Sequence, residues 1–263
     1  MNLSVLISSH AKAFDLWNIT HFFFKKNWPN CPYAVYLGAN GENRIKYCPE
    51  DWIYLNKGED VSWAKSMKSY LESIPADYIL LFLDDFIILR PVNQKLIDEA
   101  YEFLVANNGV MLRLVPSPKG TIYLNENFRR IDVKNRVPYV TSLQVAIWKK
   151  SFLIKLLKYD FDPWEFEIKA GKVKESMECY DKFFVTTKPL IFYKHFVEKG
   201  KFYPFIRKLI KEYNIPLIDT NRETLNKNEL IKLYISKLRA TMFSIIPEKD
   251  KNKIRKYFGK HEL

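Results

Sequence analysis

Apolar residues recur along this chain in two rhythms, short unbroken runs and longer stretches with helical spacing, and the two alternate. "LSVLIS" is an unbroken run ending at Ser8, Ser9 and His10, and "FDLWNITHFFFKKNW" then sets Phe14, Trp17, Phe22 and Phe24 broadly on one side of a helix. "YAVYLG" (33–38) and "WIYLN" (52–56) read as two further strands between Pro, Gly and Asn punctuation. In "DVSWAKSMKSYLESI" the positions Val61, Ala64, Met67, Leu71 and Ile74 keep helical spacing, with Asp60 as the expected N-cap. "YILLFL", Tyr78 to Leu83, is apolar throughout, as a central strand covered on both faces must be. A helix from the Asn93 cap to a stop near Gly109 and the strand "VMLRLV" follow.

Residues 116–141 are turn-rich, with β-like pieces "TIYL" and "VPYVTS". "SLQVAIWKKSFLIKLLKY" reads as a strand or turn entering a helix, and "DFDPWEFEIKAG" as a short helix capped by Asp162 with Pro163 at its first position. Strands alternating with helices predict an α/β fold of Rossmann-like type, a mixed, mostly parallel sheet flanked by helices. From residue 194 the rhythm changes. "KFYPFIRKLIKEYN" and "ELIKLYISKLRATMFSII" are amphipathic, the latter with Ile231, Ile235, Leu238, Met242 and Ile245 along one face before Pro247. The expected division is a core domain over 1–193 and a helical appendage over 194–263.

Charge sharpens that division. The 263-residue chain carries +12, and residues 194–263 hold 17 Lys/Arg against 8 Asp/Glu, which leaves +3 for 1–193. A basic amphipathic segment, with Lys232, Lys237 and Arg239 on its flanks, suits an anionic membrane surface through 229–263; packing on the core domain or on a second subunit is the competing account. The three cysteines, Cys31, Cys48 and Cys179, have neither disulfide-framework nor zinc spacing, and "MNLSVLISSH" lacks the layout of a signal peptide. No run reaches the roughly 18 apolar residues of a membrane span. A cytoplasmic protein, at most peripheral on the inner face of the membrane, is expected.

Two adjacent carboxylates, Asp84 and Asp85, interrupt the most hydrophobic segment. Like charges side by side repel, and both lose hydration if they follow the strand inward. A plain reading has one capping the next turn and the other pairing with Arg90. The alternative uses their position: in open α/β sheets ligands bind beyond the carboxyl ends of the strands, and a divalent cation there would neutralise the doublet and hold a diphosphate.

The strand "YILLFLDDF", with "SVLISSH" before it and "ILRPV" and the acidic "DPWEFE" after it, resembles the GT-A fold glycosyltransferases, and more narrowly the family-2-like bacterial enzymes of capsule and lipopolysaccharide synthesis. The resemblance covers roughly 1–193. It implies transfer of a sugar from a nucleotide-sugar donor to a glycan or lipid-linked acceptor, with inversion, and an acidic motif, usually written DxD, that holds Mn²⁺ or Mg²⁺ on the donor diphosphate. Here the motif is Asp-Asp-Phe. Asp85 is carried over as the metal ligand and Asp84 as its neighbour facing ribose, sugar or metal. The resemblance also points to Ser8, Ser9 and His10 against the nucleotide, and to Asp60 and Trp63 near base and donor sugar. His195 would complete the metal shell, with Gly200 and Lys201 closing over the phosphates.

Direct displacement at an anomeric carbon needs a carboxylate to take the acceptor hydroxyl's proton. "DPWEFE" offers Glu165 or Glu167 ahead of Asp162, beside Trp164, on which a sugar could stack. Gln144 and Trp148 are further acceptor-site candidates, against a core role for Trp148. Two other functions compete. A metal-dependent nucleotidyltransferase would want a glycine-rich loop after the first strand, where "LISSHAKAF" has none. A non-enzymatic binder of RNA or another anionic polymer would want exposed aromatics among the lysines, whereas the 16 tyrosines and 19 phenylalanines mostly follow apolar periodicity.

Overall fold

The computed structural model describes residues 2–133 and 139–245, leaving aside the side chains of 237–245. The described chain divides into two compact units, 1–196 with 210–220, and 197–209 with 221–263. Residues 210–220, expected in the appendage, thus belong to the first unit, where Thr220 Oγ1 donates to Asp15 Oδ2 at 2.7 Å.

In the first unit the order is β1 (Leu3–His10), α1 (Phe14–Asn27), β2 (Val35–Asn40), β3 (Ile53–Leu55), α2 (Trp63–Ser73), β4 (Tyr78–Leu83), β5 (Phe86–Ile88), α3 (Gln94–Ala106), β6 (Met111–Arg113), β7 (Ile122–Tyr123), β8 (Phe128–Arg130), β9 (Ala146–Lys149), α4 (Lys150–Leu157), α5 (Pro163–Lys169), α6 (Lys174–Glu178), β10 (Phe183–Thr186) and β11 (Tyr193–His195). Nine strands form one sheet in the order β3-β2-β1-β4-β9-β6-β10-β8-β7. β3, β2, β1 and β4 are parallel; β9 runs against both β4 and β6, and β8 against β10 and β7. β6 and β10 are parallel again, so most strands point one way and the sheet is the expected mixed α/β type.

Alternation across β4 explains why "YILLFL" is apolar throughout. Ile79 and Leu81 face one core cluster with Met67 and Leu71 of α2 and Phe152 and Leu156 of α4, and Leu80 and Phe82 face another with Trp17 and Phe24 of α1 and Ile97 and Leu104 of α3. Each fully buried leucine of such a strand contributes about 2–3 kcal/mol by area alone. Three local expectations need correcting. Phe22 leaves the buried face of α1 and meets Tyr213 at 5.5 Å, because Phe23 takes its place inside. The cap of α2 is Ser62, not Asp60, and its side chain accepts from Lys65 N, whereas Asn93 is the N-cap of α3 as expected, through its carbonyl and without a side-chain hydrogen bond. Of "VPYVTS", Tyr139–Thr141 form a turn, and Val137 and Pro138 lie outside the described residues.

The second unit holds β12 (Val197–Glu198), β13 (Lys201–Phe202), most of α7 (Pro204–Glu212) and α8 (Lys227–Ile245). β12 and β13 form a hairpin whose two turn residues, Lys199 (φ 50°) and Gly200 (φ 78°), both need the left-handed backbone. Among the described residues no helix is long and apolar enough to cross a membrane.

Candidate active site

β1 and β4 are neighbours whose connections leave in opposite directions, β1 towards β2 and β4 towards the β9–β7 half, so a crevice opens between their carboxyl ends. Register puts Ser8 beside Leu83 and so brings the Ser8–His10 turn against the acidic doublet. Ser9 Oγ donates to Asp84 Oδ2 at 2.5 Å and accepts from Trp17 Nε1 at 2.8 Å, while Thr20 Oγ1 donates to the Asp84 carbonyl. Asp85 turns the other way: its Oδ2 meets His195 Nδ1 at 3.1 Å. That contact follows from an antiparallel pairing of β5 with β11, which sets Phe86 opposite His195 and lets Phe196 N donate to the Asp85 carbonyl. Arg90 lies over the Phe192 ring at 4.3 Å, and among the described contacts it pairs with neither aspartate.

A cleft of about 330 Å³ occupies the crevice, lined by Ser8, Ser9, His10, Asp60, Trp63, Ser66, Met67, Tyr70, Leu83, Asp84, Pro163 and Trp164. That is the lower end of the usual range for small-molecule sites. Seven residues singled out from sequence, Ser8, Ser9, His10, Asp60, Trp63, Asp84 and Trp164, are brought together there. Asp60 is not the α2 cap; its Oδ1 accepts from Ser66 Oγ at 2.8 Å, and Ser66 also takes the Asn40 amide at 3.2 Å. Ser62, the true cap, donates to Asp160 Oδ1 at 2.5 Å and ties α2 to the turn before α5. There Asp162 and Glu165 form a reciprocal capping box with Pro163 at the first position, and Trp164 is left 75% exposed at the cleft rim.

Tyr70 and Ser66 line the cleft without having been singled out, and Met67 and Pro163, expected only as helix positions, line it too. Tyr70 fits only because Gly38 has no side chain: a Cβ there would lie 2.4 Å from the ring. Its hydroxyl accepts from Asn40 N at 2.6 Å, and burial holds it well above the ordinary phenol range. The local sequence gives no sign of this packing.

The two glutamates diverge. Glu165 is committed to the capping box and to Lys169 at 2.5 Å, with Lys169 the chief cause of its lowered pKa. Glu167 Oε1 accepts from Ser142 Oγ at 2.8 Å and Leu143 N at 2.7 Å, just before β9. Near it lies Arg113, fully buried, whose guanidinium donates to the carbonyls of Ser117, Pro118, Tyr139 and Val140. Burial pulls Arg113 down to about 10, and the Glu167 carboxylate works against that fall. Burial raises the pKa of the Tyr193 phenol, against the hydrogen bond it makes with the Val145 backbone and the Arg113 charge, and the Asp85 and Glu167 carboxylates add to the rise.

Three further candidates are not among the residues that line the cleft. Trp148 is wholly buried in β9, so it packs the core and does not meet an acceptor. Gln144, preceding β9, is half-buried, and among the described residues its side-chain oxygen has no hydrogen-bond partner. Lys201 belongs to the second unit, where its ammonium is held by Glu223 at 2.7 Å and Glu229 at 2.9 Å, and these carboxylates raise its pKa.

Among the described residues no three His, Cys, Asp or Glu side chains gather as a metal cage. Asp85 and His195, a carboxylate and an imidazole 3.1 Å apart, are the pair that could hold a divalent ion whose remaining positions are filled by phosphate oxygens and water.

No protein-family model matches the chain, and no curated protein matches it by sequence. Solved structures do. Residues 1–349 of S. aureus TarS in complex with UDP-GlcNAc share 14% identity over 77% of this chain and 60% of that one, with a TM-score of 0.50. The mannosyltransferase PcManGT from Pyrobaculum calidifontis, in complex with GDP-Man and Mn²⁺, matches at 11% identity over 76% of this chain and 58% of that one, with a TM-score of 0.47. A cytidylyltransferase from Leptospira borgpetersenii matches at 15% identity over 84% and 98%, with a TM-score of 0.44. This chain spans 60% or less of the TarS and mannosyltransferase chains. The likeness to TarS fixes the fold, that of the GT-A glycosyltransferases.

Proposed function

From the GT-A fold and the cleft at the β1/β4 crevice, we propose that this protein is a nucleotide-sugar-dependent glycosyltransferase, which moves a sugar to a glycan or lipid-linked acceptor of the bacterial surface, capsule or lipopolysaccharide, from the cytoplasmic side. The observation that carries the reading is the cleft itself: a carboxylate from the end of β4, a Ser-Ser-His turn from the end of β1 and a second carboxylate, Asp60, around one space walled by Trp63, Tyr70 and Trp164. Ser8, Ser9, His10 and Asp60 present acceptors and donors to base and ribose. Trp63 and Trp164 offer flat faces to rings, and Asp84, fixed by Ser9, faces the donor sugar or diphosphate.

Asp85 and His195 would hold a Mn²⁺ or Mg²⁺ ion. Such an ion, when bound, neutralises the charge left on the departing diphosphate. Glu167, fixed by Ser142 and Leu143, takes the proton from the acceptor hydroxyl as its oxygen bonds to the anomeric carbon and the bond to the diphosphate breaks, which inverts that centre. Glu165 is given to the capping box and the Lys169 ion pair instead.

A thermal-shift panel of UDP-, GDP-, CMP- and dTDP-sugars, each with Mn²⁺, with Mg²⁺ and with chelator, tests the reading. One donor should raise the midpoint, more so with metal; a donor present at about 100 times its Kd stabilises by about 2.7 kcal/mol. If no nucleotide sugar moves the midpoint, the reading fails. Release of pyrophosphate, in place of a nucleoside diphosphate, would identify a nucleotidyltransferase instead.

A further inference from the structure

Helix α8 carries an apolar face that nothing in the described chain covers. Leu230 and Leu233 are half-buried, while Ile231, Tyr234 and Ile235, spaced three and four apart on another side of the helix, are 56%, 64% and 42% exposed. Three adjacent large apolar side chains on one helix face are more than the scattered exposure of an ordinary surface. Lys232 borders this stripe on its polar flank and Lys227 lies one turn before it, both exposed. Glu229, the nearest acid on the helix, is already taken by Lys201 at 2.9 Å. In the sequence the same spacing continues at Leu238, Met242 and Ile245, whose side chains lie outside the described set.

Charge selects the occupant. The second unit, 197–209 with 221–263, contains 15 Lys/Arg against 6 Asp/Glu, so +9 of the chain's +12 sits in about a fifth of its length. A second copy on this face would set one strongly basic unit against another. A nucleic acid would meet a single aromatic, Tyr234, where stacking needs several. A bilayer with anionic headgroups matches both features together, since lysines stay at the phosphates while isoleucine and tyrosine side chains enter the interface.

We propose that α8 is an interfacial helix, which seats the second unit on an anionic phospholipid surface through Ile231, Tyr234 and Ile235, with Lys227 and Lys232 at the headgroups. The proposal is independent of what the cleft does: a chain that binds vesicles and no nucleotide would keep the one and lose the other.

Co-sedimentation of the full chain with vesicles of phosphatidylcholine, alone or mixed with phosphatidylglycerol, tests it. Binding is expected only to the mixed vesicles, falling steeply between about 0.05 M and about 0.5 M NaCl as screening shortens the reach of the lysines. The triple change Ile231→Ser, Tyr234→Ser, Ile235→Ser should cut partitioning by about tenfold or more, and Lys232→Ser by about fivefold. Because these side chains are exposed, neither variant should lower the thermal midpoint. Lys232→Glu serves as the second probe if the triple variant folds poorly, and it should lose more than Lys232→Ser. The proposal is overturned if the full chain ignores phosphatidylglycerol vesicles at low salt, or if the folded variants bind them as well as the parent. It is equally overturned if light scattering finds a dimer that the triple change converts to a monomer, since a second copy then covers the face.

Discussion

The two halves of the sheet contribute to one site by different means. β3, β2, β1 and β4 are parallel, arise from the first 83 residues, and deliver Ser8, Ser9, His10 and Asp84 simply by ending beside one another. β9, β6, β10, β8 and β7 come from interleaved pieces of 111–186, and the loops between them are held by side chains: Arg113 on four carbonyls and Glu167 on Ser142 and Leu143. In the first half the backbone ladder positions chemistry. In the second, buried or half-buried polar side chains do, so single substitutions there should be costlier and more selective in what they remove.

The largest effect is expected at Glu167. Glu167→Gln should slow transfer by about 10²–10⁴-fold, the usual cost of a lost general base, with donor affinity kept. Glu165→Gln should leave transfer within a few-fold, because it removes only an exposed cap and an exposed ion pair. The two variants, assayed side by side with donor binding by calorimetry, would invert the assignment if Glu165→Gln were the dead one.

Next comes Arg113→Met. It strips hydrogen bonds from four carbonyls, and unmatched buried acceptors cost about 1–3 kcal/mol each before relaxation, so a loss of about 3 kcal/mol or more is expected in urea unfolding. Arg113→Lys should recover only part, since an ammonium cannot span two loops as a planar fork does. A loss below about 1 kcal/mol would mean that the mixed half does not depend on its side-chain tethers.

This contrast also separates what the sequence discloses from what it hides. The run "YILLFLDDF" shows both the central strand and the site at its end, because apolar continuity and an abrupt charge doublet are local signals. "MLRLV" carries a comparable signal, an arginine inside an apolar strand, and deserves the same question about what offsets the cost of its burial. The pairing of Asp85 with His195 depends on β5 meeting β11, more than 100 residues apart, and no spacing in the chain encodes that meeting. Trp148 is the reverse case: four residues after Gln144, its spacing leaves an acceptor-site role and a core role both open, and alternation along β9 puts it on the core face with Ala146.

Gly38→Ala should act in the first half by about 1–3 kcal/mol, as overpacking does, because the new methyl would meet the Tyr70 ring. Donor affinity should fall with it, since Tyr70 forms part of the cleft. An unchanged midpoint and affinity would show that the ring can shift freely, and the parallel half would then be more tolerant than its close packing implies.

The smallest effect separates two neighbours on one loop. Ser62 caps α2 through Lys65 N and Asp60 faces the cleft, so Ser62→Ala should cost about 1 kcal/mol of stability and little else. Asp60→Asn keeps an oxygen for the Ser66 hydroxyl, so stability should change by less than about 0.5 kcal/mol, the usual range for an exposed site. Its carboxylate charge is gone, however, and nucleotide affinity should fall while the midpoint stands. If instead Asp60→Asn unfolds early and binds donor normally, the residue belongs to the loop's own hydrogen bonding, and the first half would owe its chemistry to the ends of β1 and β4 alone.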